Sequence, residues 1–264
     1  MALMAACGEI TPMPVAAIFA DTGAEPASVY RWLDWLITEL PFPVNRVWKQ
    51  RKGKPLSLEA ASLEMRETKD GRLFSQTNIP FFTKNNDDGS FGMIPHRSCT
   101  SDFKLGPLQK AQKILGQVKR GQKHYSVVSW QGISTDEASR MRDSREPWAI
   151  NRYPLIEKRM TRADCLQWME IHHYPQPPRS ACVFCPFHSD TEWRRLKNEE
   201  PEEFAKAVEF ERAIQSTKSK SSNFKTTPYL HASRQPLATI DFRNAEDRGQ
   251  INMFENECEG MCGV

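Results

Sequence analysis

No run of about 18 apolar residues interrupts the sequence, which argues against a membrane-spanning helix. The opening MALMAACGEI lacks a basic segment, and its apolar stretch is too short for a secretory leader, so the expected compartment is the cytoplasm. Charge of one sign is scarce too: 36 Lys+Arg stand against 33 Asp+Glu, a net +3 that by itself identifies no anionic partner. Nor is there an internal repeat. The cysteines number seven, an odd count without an export signal, so metal binding or thiol chemistry explains them better than a disulfide framework. What remains is ordinary globular composition, 39% hydrophobic and 26% charged over 264 residues, enough for one large domain or one with an appendage.

The balanced total hides an uneven distribution. From Arg97 to Arg159 there are 13 basic and 6 acidic residues, and from Phe103 to His124 six basic residues and no acid. Phosphate-bearing ligands are the natural partners of such a stretch. Arg97, Lys104, Arg140, Arg142 and Arg145 fall near expected strand ends or helix starts, where anions are favoured. Lys110, Lys113, Lys119, Arg120 and Lys123 form a stripe that reads first as a solvated face and second as a nucleic-acid surface, since no aromatics interleave with it. The tail is acidic, with Glu246, Asp247, Glu255, Glu257 and Glu259 against Arg248.

Val15 to Ala20 (VAAIFA) reads as a buried strand stopped at Asp21-Thr22-Gly23. After Pro26, the residues Val29, Trp32, Leu33, Leu36 and Leu40 keep helical spacing. Val44 to Lys49 predicts a strand, Leu58 to Glu67 a helix, and Lys84 to Ser90 a surface turn. Pro107 to Val118 predicts an amphipathic helix with Leu108, Ala111, Ile114, Leu115 and Val118 inward, and Tyr125 to Trp130 a buried strand. Asp136 to Arg145 reads as a helix, Ser189 to Asn198 as one opened by a capping box, and Phe204 to Ile214 as another. Ser216 to Thr227 is polar and of low complexity, the signature of a mobile linker. Strands alternating with helices predict an α/β fold, three-layered, with a mostly parallel sheet and its ligand at the strand ends. Residues 1–160 would be its nucleotide-binding domain, 161–215 a cysteine-bearing helical metal-binding segment, and 216–264 a linker and mobile tail.

Cys182-x2-Cys185-Pro186 puts two soft ligands on one tight turn, the geometry an iron–sulfur cluster or a zinc ion needs. Further thiolates would come from Cys99 and Cys165, with His188 as a substitute; ordinary buried cysteines are the alternative. Cys258 and Cys262 lie in the acidic tail. Exposed thiols there suggest reactivity if they dock against a basic site, and an inert terminus is the alternative.

Four segments carry a resemblance: Ile18-Phe-Ala-Asp-Thr-Gly23 with the Tyr30-containing helix, Arg97-Ser-Cys-Thr-Ser-Asp-Phe-Lys-Leu-Gly-Pro107, Trp130-Gln-Gly-Ile-Ser-Thr-Asp-Glu-Ala-Ser-Arg-Met141, and Glu257-Cys-Glu-Gly-Met-Cys-Gly263. Together they resemble the phosphoadenosine phosphosulfate reductase-like branch of the adenine nucleotide alpha hydrolase (PP-loop) superfamily. The resemblance implies a nucleotide beside Asp21, Thr22 and Gly23, either ATP or a sulfonucleotide, and anion contacts from Arg97, Lys104 and Arg140. It also implies a [4Fe–4S] cluster on Cys99, Cys165, Cys182 and Cys185, with zinc as the alternative. The implied reaction is reduction of a sulfonucleotide, with Cys258 as nucleophile, Cys262 supporting or resolving it, and a thiol electron donor such as thioredoxin. Two rivals stay open: ATP-dependent thiolation of tRNA or DNA, and a non-catalytic metal-bound binding module. The chain departs from the family in having no Gly-Gly pair, hence no S-G-G-x-D-S phosphate loop, and in having Thr100 after Cys99 where cluster-bearing reductases have a second cysteine. Met1 to Glu9 look like the remnant of the helix after that loop, so the reading frame is expected to continue upstream through a strand and the loop.

Overall fold

The computed structural model describes residues 1–243. In chain order it begins with α1 (Ala2–Ala6), β1 (Ala17–Ala20), α2 (Ala27–Glu39) and β2 (Val44–Val47). Two short ribbons follow, β3 (Gln50–Arg51) with β4 (Lys54–Pro55), and, after α3 (Leu58–Leu63), β5 (Met65–Glu67) with β6 (Leu73–Ser75). Next come β7 (Phe81–Asn85), β8 (Phe91–Ile94) and α4 (Ser98–Thr100), which runs through a wide π turn at Ser101–Leu105 into α5 (Gly106–Leu115). The remainder comprises β9 (Val127–Trp130), β10 (Ala149–Arg152), α6 (Pro154–Glu157), α7 (Arg162–Ile171), α8 (Asp190–Glu199), α9 (Pro201–Ser219) and β11 (Thr226–Tyr229).

The expected three-layer, mostly parallel sheet is not what forms. Two pairs are parallel, β1 with β2 and β9 with β10, and they stay separate. The other pairings are antiparallel: β3 with β4, β5 with β6, and β7 between β8 and β11. The reason lies in the turns. Short connections such as Lys84 to Ser90 fold β3 on β4, β5 on β6 and β7 on β8, so the facing backbone N–H and C=O groups of these strands are satisfied within local hairpins and the strands do not add to the β1–β2 pair. With so few strands per sheet, β1 is only half-buried and Val128 of β9 is exposed, where both strands were expected inside.

Other elements also differ from expectation. The Leu58 helix, whose first turn Ser57 caps through Ala60 N–H, ends at Leu63, and its expected remainder is β5. In place of the expected Asp136 to Arg145 helix there is a 3₁₀ segment, Thr135–Arg140, kinked at Glu137. On α5, Ile114 and Leu115 face solvent, 68% and 46% exposed, and the buried residue is Pro107 at its start. Ser189 does cap α8, accepting from Glu192 N–H. Among the described residues no helix is long and apolar enough to cross a membrane.

Two packed clusters hold the chain together. The larger takes Leu58, Phe81, Phe103, Trp193, Phe210 and Leu237 among others, and reaches from Ala24 to Phe242. Phe184 stacks on Phe210 at 3.9 Å and Trp193 meets Phe204 edge-on, so the Cys182–Cys185 turn rests on this core. The smaller cluster joins Leu3, Met4 and Ala5 of α1 to Leu40, Phe42, Leu155 and Met169. Arg195 bridges Glu192 and Glu200, and the Glu200 carboxylate accepts from Ser28 N–H and Oγ–H at the first turn of α2, where negative charge is favoured.

The stretch Ser216 to Thr227, expected as a linker, holds the last turn of α9 and the start of β11 instead. Lys218 is fully buried there. Its ammonium donates to Ser75 Oγ and Gln76 O at 2.7 and 2.6 Å and lies 4.6 Å over the Phe224 ring. Burial lowers its pKa from 10.5 to about 8. The unfolded chain therefore binds the extra proton between those limits, and stability rises with pH across that window. In urea unfolding, the parent protein should gain about 2 kcal/mol relative to Lys218→Met between about pH 8 and 9.5. A pH-independent difference would contradict the burial of this charge.

Candidate functional site

The site is built where β1 ends. Asp21 N–H still donates to Val47 O, as if the strand continued, and the Asp21 side chain then turns inward. One carboxylate oxygen, Oδ1, accepts from Gly23 N–H and Tyr30 O–H, and the other, Oδ2, from Arg46, each at 2.8 Å. Burial opposes the charge of Asp21, but these donors win and hold its pKa below the ordinary value; the same contact, with burial, raises that of Tyr30. Gly23 has φ of +69°, and a Cβ there would lie 3.0 Å from Ser57 Cβ, so the turn needs glycine on both counts. Thr22 O accepts the Leu58 N–H, which docks the start of α3 onto the same turn.

The cysteine turn sits directly against this one. Val183 N–H donates to Ala24 O at 2.7 Å, and Thr22 Oγ1 lies 3.4 Å from Cys182 Sγ. Ser180 Oγ–H donates to Glu25, whose buried carboxylate stands 3.8 Å from the Lys104 ammonium. Cys99 and Cys185, half-buried, pack against the same cluster as Cys182. Cys99 is fixed through its N–H to Asn78 O.

The electrostatics follow from this packing. Burial works against the charge of Lys104, yet its pKa is raised, because Glu25 and the sulfurs of Cys182, Cys185 and Cys99 surround it. Burial pushes the Cys182 thiol up to about 12, with Glu25 adding to the shift and Lys104 opposing it. Cys99 and Glu25 are raised by burial as well. His188 packs beneath the turn, its Nε2 2.9 Å from Cys182 O and its ring edge-on to Trp193, and burial lowers its pKa to about 4. Because a carbonyl only accepts, Nε2 carries the proton, and the buried Nδ1 has no partner among the described residues.

Of the residues singled out in the sequence, Asp21, Thr22, Gly23, Lys104, Cys99, Cys182 and Cys185 come together here. Arg97 joins them by stacking 4.5 Å over the Phe187 ring, just beyond the cysteine turn. Arg140 lies elsewhere, paired with Glu137 in the 3₁₀ segment after β9. Cys165 lies apart from the other three cysteines: it packs on the smaller cluster, where burial raises its thiol and the Met1 ammonium opposes the shift. Cys258 and Cys262 lie outside the described residues. Among the described residues, no three His, Cys, Asp or Glu side chains stand at the spacing of a filled metal site. Glu25, Arg46 and Ser180 were not singled out. Nothing local marks them, because each acts on a residue distant in the chain.

No family model, curated protein or solved structure matches the chain.

Proposed function

We propose that the chain is a sulfur-metabolism enzyme acting on an adenylated nucleotide, in the first place by reducing a sulfonucleotide as phosphoadenosine phosphosulfate reductases do. The observation that carries this reading is the contact between the Asp-Thr-Gly turn and the cysteine turn, Thr22 Oγ1 to Cys182 Sγ. A nucleotide seated against the first turn brings its anionic end to the thiols and to Lys104. What supports a thiolate-held group is the chemistry of the side chains, three soft sulfur donors, Cys99, Cys182 and Cys185, in the electrostatic neighbourhood of the half-buried Lys104 ammonium, which would offset their charge. Those three residues would hold a [4Fe–4S] cluster, with zinc as the alternative. When bound, such a cluster supplies iron sites for sulfur and a store of electrons.

The chain's own residues do the rest. Lys104 neutralises thiolate and substrate charge, Glu25 holds that ammonium in place, and Asp21, tied to Tyr30 and Arg46, keeps the turn rigid before substrate arrives. ATP-dependent thiolation of tRNA or DNA is the second reading, favoured by the exposed cations Lys119, Arg120 and Lys123.

Anaerobically purified protein is expected to contain iron and acid-labile sulfide, both lost in Cys99→Ser and Cys182→Ser and kept in Cys165→Ser. Stoichiometric zinc without sulfide would replace the cluster by zinc. Protein that holds no metal and binds neither ATP nor adenosine phosphosulfate would overturn the reading.

A further inference from the structure

We propose that α5 and the loop from Gly116 to Ser126 form a surface for the sugar–phosphate backbone of a single-stranded nucleic acid. Lys110, Lys113, Lys119, Arg120 and Lys123 are all exposed on it. Lys113 is partly engaged, 3.9 Å from Glu146 and 5.2 Å over the Trp148 ring, and Lys110 donates to Gln50. Among the described residues no ion pair engages Lys119, Arg120 or Lys123, and the chain has no acid between Phe103 and His124 to offset them. Uncompensated cations on one face are the electrostatic footprint of a polyanion site.

The cations are presented by built backbone. Gln122 ties the loop from its centre: its Oε1 accepts Lys119 N–H at 3.1 Å, and its Nε2 donates to His124 O at 2.9 Å and Ser126 Oγ at 3.0 Å. Ser126 Oγ–H in turn reaches back to Gly116 O at 3.1 Å, closing the loop on the end of α5. Gln117 at φ of +48° and Gly121 at φ of +77° make the two tight bends.

The shape selects an extended ligand. Two shallow hollows adjoin at Gln117, one lined by Gly106, Lys110, Lys113 and Ile114, the other by Lys119, Arg120, Lys123 and His124. Neither hollow is an enclosed pocket that would grip a free nucleotide, and the positive charge continues from one into the next, as a chain of phosphates requires. Tyr125, 59% exposed and two residues after Lys123 in the chain, is the aromatic that the proposal assigns to base stacking; cationic grooves with aromatic faces are how single strands are bound without sequence preference. The surface leads to the thiol site, because Lys104 is on the turn that runs directly into α5, whose ten residues then extend about 15 Å away from it. Its use by the enzyme rests on the thiolation reading, in which a polynucleotide is the molecule brought to the thiols; the binding itself does not.

The test is fluorescence anisotropy with labelled 20-mers of oligo(dT) and oligo(U) across a salt series. The parent should bind both with an affinity that falls as salt rises. Lys119→Glu/Arg120→Glu/Lys123→Glu should bind at least tenfold more weakly, and its slope of log K against log salt should be shallower by about 2, at about 0.7 for each single-strand phosphate contact. The triple alanine variant should show the same change in slope, which separates lost contacts from added repulsion. Circular dichroism and metal content should match the parent in both. Parent-like affinity in the variants, no salt-dependent binding by the parent, or tighter binding of poly-glutamate than of either oligonucleotide would overturn the proposal. Cys182→Ser should bind oligonucleotide like the parent while losing metal, so failure of the metal reading and failure of this surface appear in different measurements.

Discussion

Lys104→Met is expected to destabilise the protein by about 3 kcal/mol at pH 8, because removing one partner leaves the other charge buried and uncompensated. The partner is Glu25, with a side chain only 1% exposed. Lys104 itself is 36% exposed, and solvent screening of that end places the loss at the bottom of the range for buried pairs. The loss depends on pH, and its sign follows from Glu25. Burial already raises the folded pKa of Glu25 above its ordinary 4.5, and Lys104 is the largest influence holding it down. Without the ammonium it rises further. Such a carboxyl stabilises the fold while protonated and loses that contribution as pH rises through its folded pKa, so the variant should be close to the parent at pH 5 and diverge toward pH 8. Adding Glu25→Gln to the variant should recover most of the loss, since both charges are then gone. Denaturant unfolding of the parent, Lys104→Met, Glu25→Gln and the double variant at both pH values checks this. An equal loss at pH 5 and 8, or no recovery in the double variant, would show that Glu25 and Lys104 are not paired.

Trp193→Ala is expected to cost about 4 kcal/mol, the scale for emptying a large aromatic site in a packed core. Trp193 is fully buried among His188, Phe204 and Phe242, so its removal takes the support from beneath the cysteine turn as well as from the core. Cys182, buried in the parent, should then be alkylated faster under native conditions, while Cys7, exposed and remote, should react at the parental rate. Trp193→Phe makes the control. It keeps an aromatic ring and removes an indole N–H that has no partner among the described residues, so it should cost about 1–2 kcal/mol and leave Cys182 protected. Unchanged Cys182 reactivity in Trp193→Ala would mean that the turn is held by its own backbone bonds alone.

Much of the local structure was legible in the residues themselves. The apolar run before Asp21, the Pro26 start and apolar spacing of α2, the Ser189 cap and the basic stretch from Phe103 to His124 all depend on neighbours a few positions away, where propensity, capping and periodicity act. The same range explains why the Asp-Thr-Gly turn and the Cys-x2-Cys turn could each be recognised singly.

Their meeting is a different matter. That Thr22 touches Cys182, that Glu25 takes Lys104, that Arg46 anchors Asp21, and that β7 accepts β11 as a partner across most of the chain are choices among distant segments. So are the placement of Cys165 in the smaller cluster and the burial of Lys218 in a segment whose composition reads as a linker. Alternation of strands and helices cannot say which strands share a sheet, because the backbone groups of a strand can be satisfied by a sequence neighbour as well as by a remote strand. By itself the sequence determined the local elements, the two turns and the charge of the α5 face. Only the tertiary structure decided that the sheets stay small and separate and that three thiols, one ammonium and one carboxylate share a site, because long-range packing alone takes those groups out of water and sets their charges against one another.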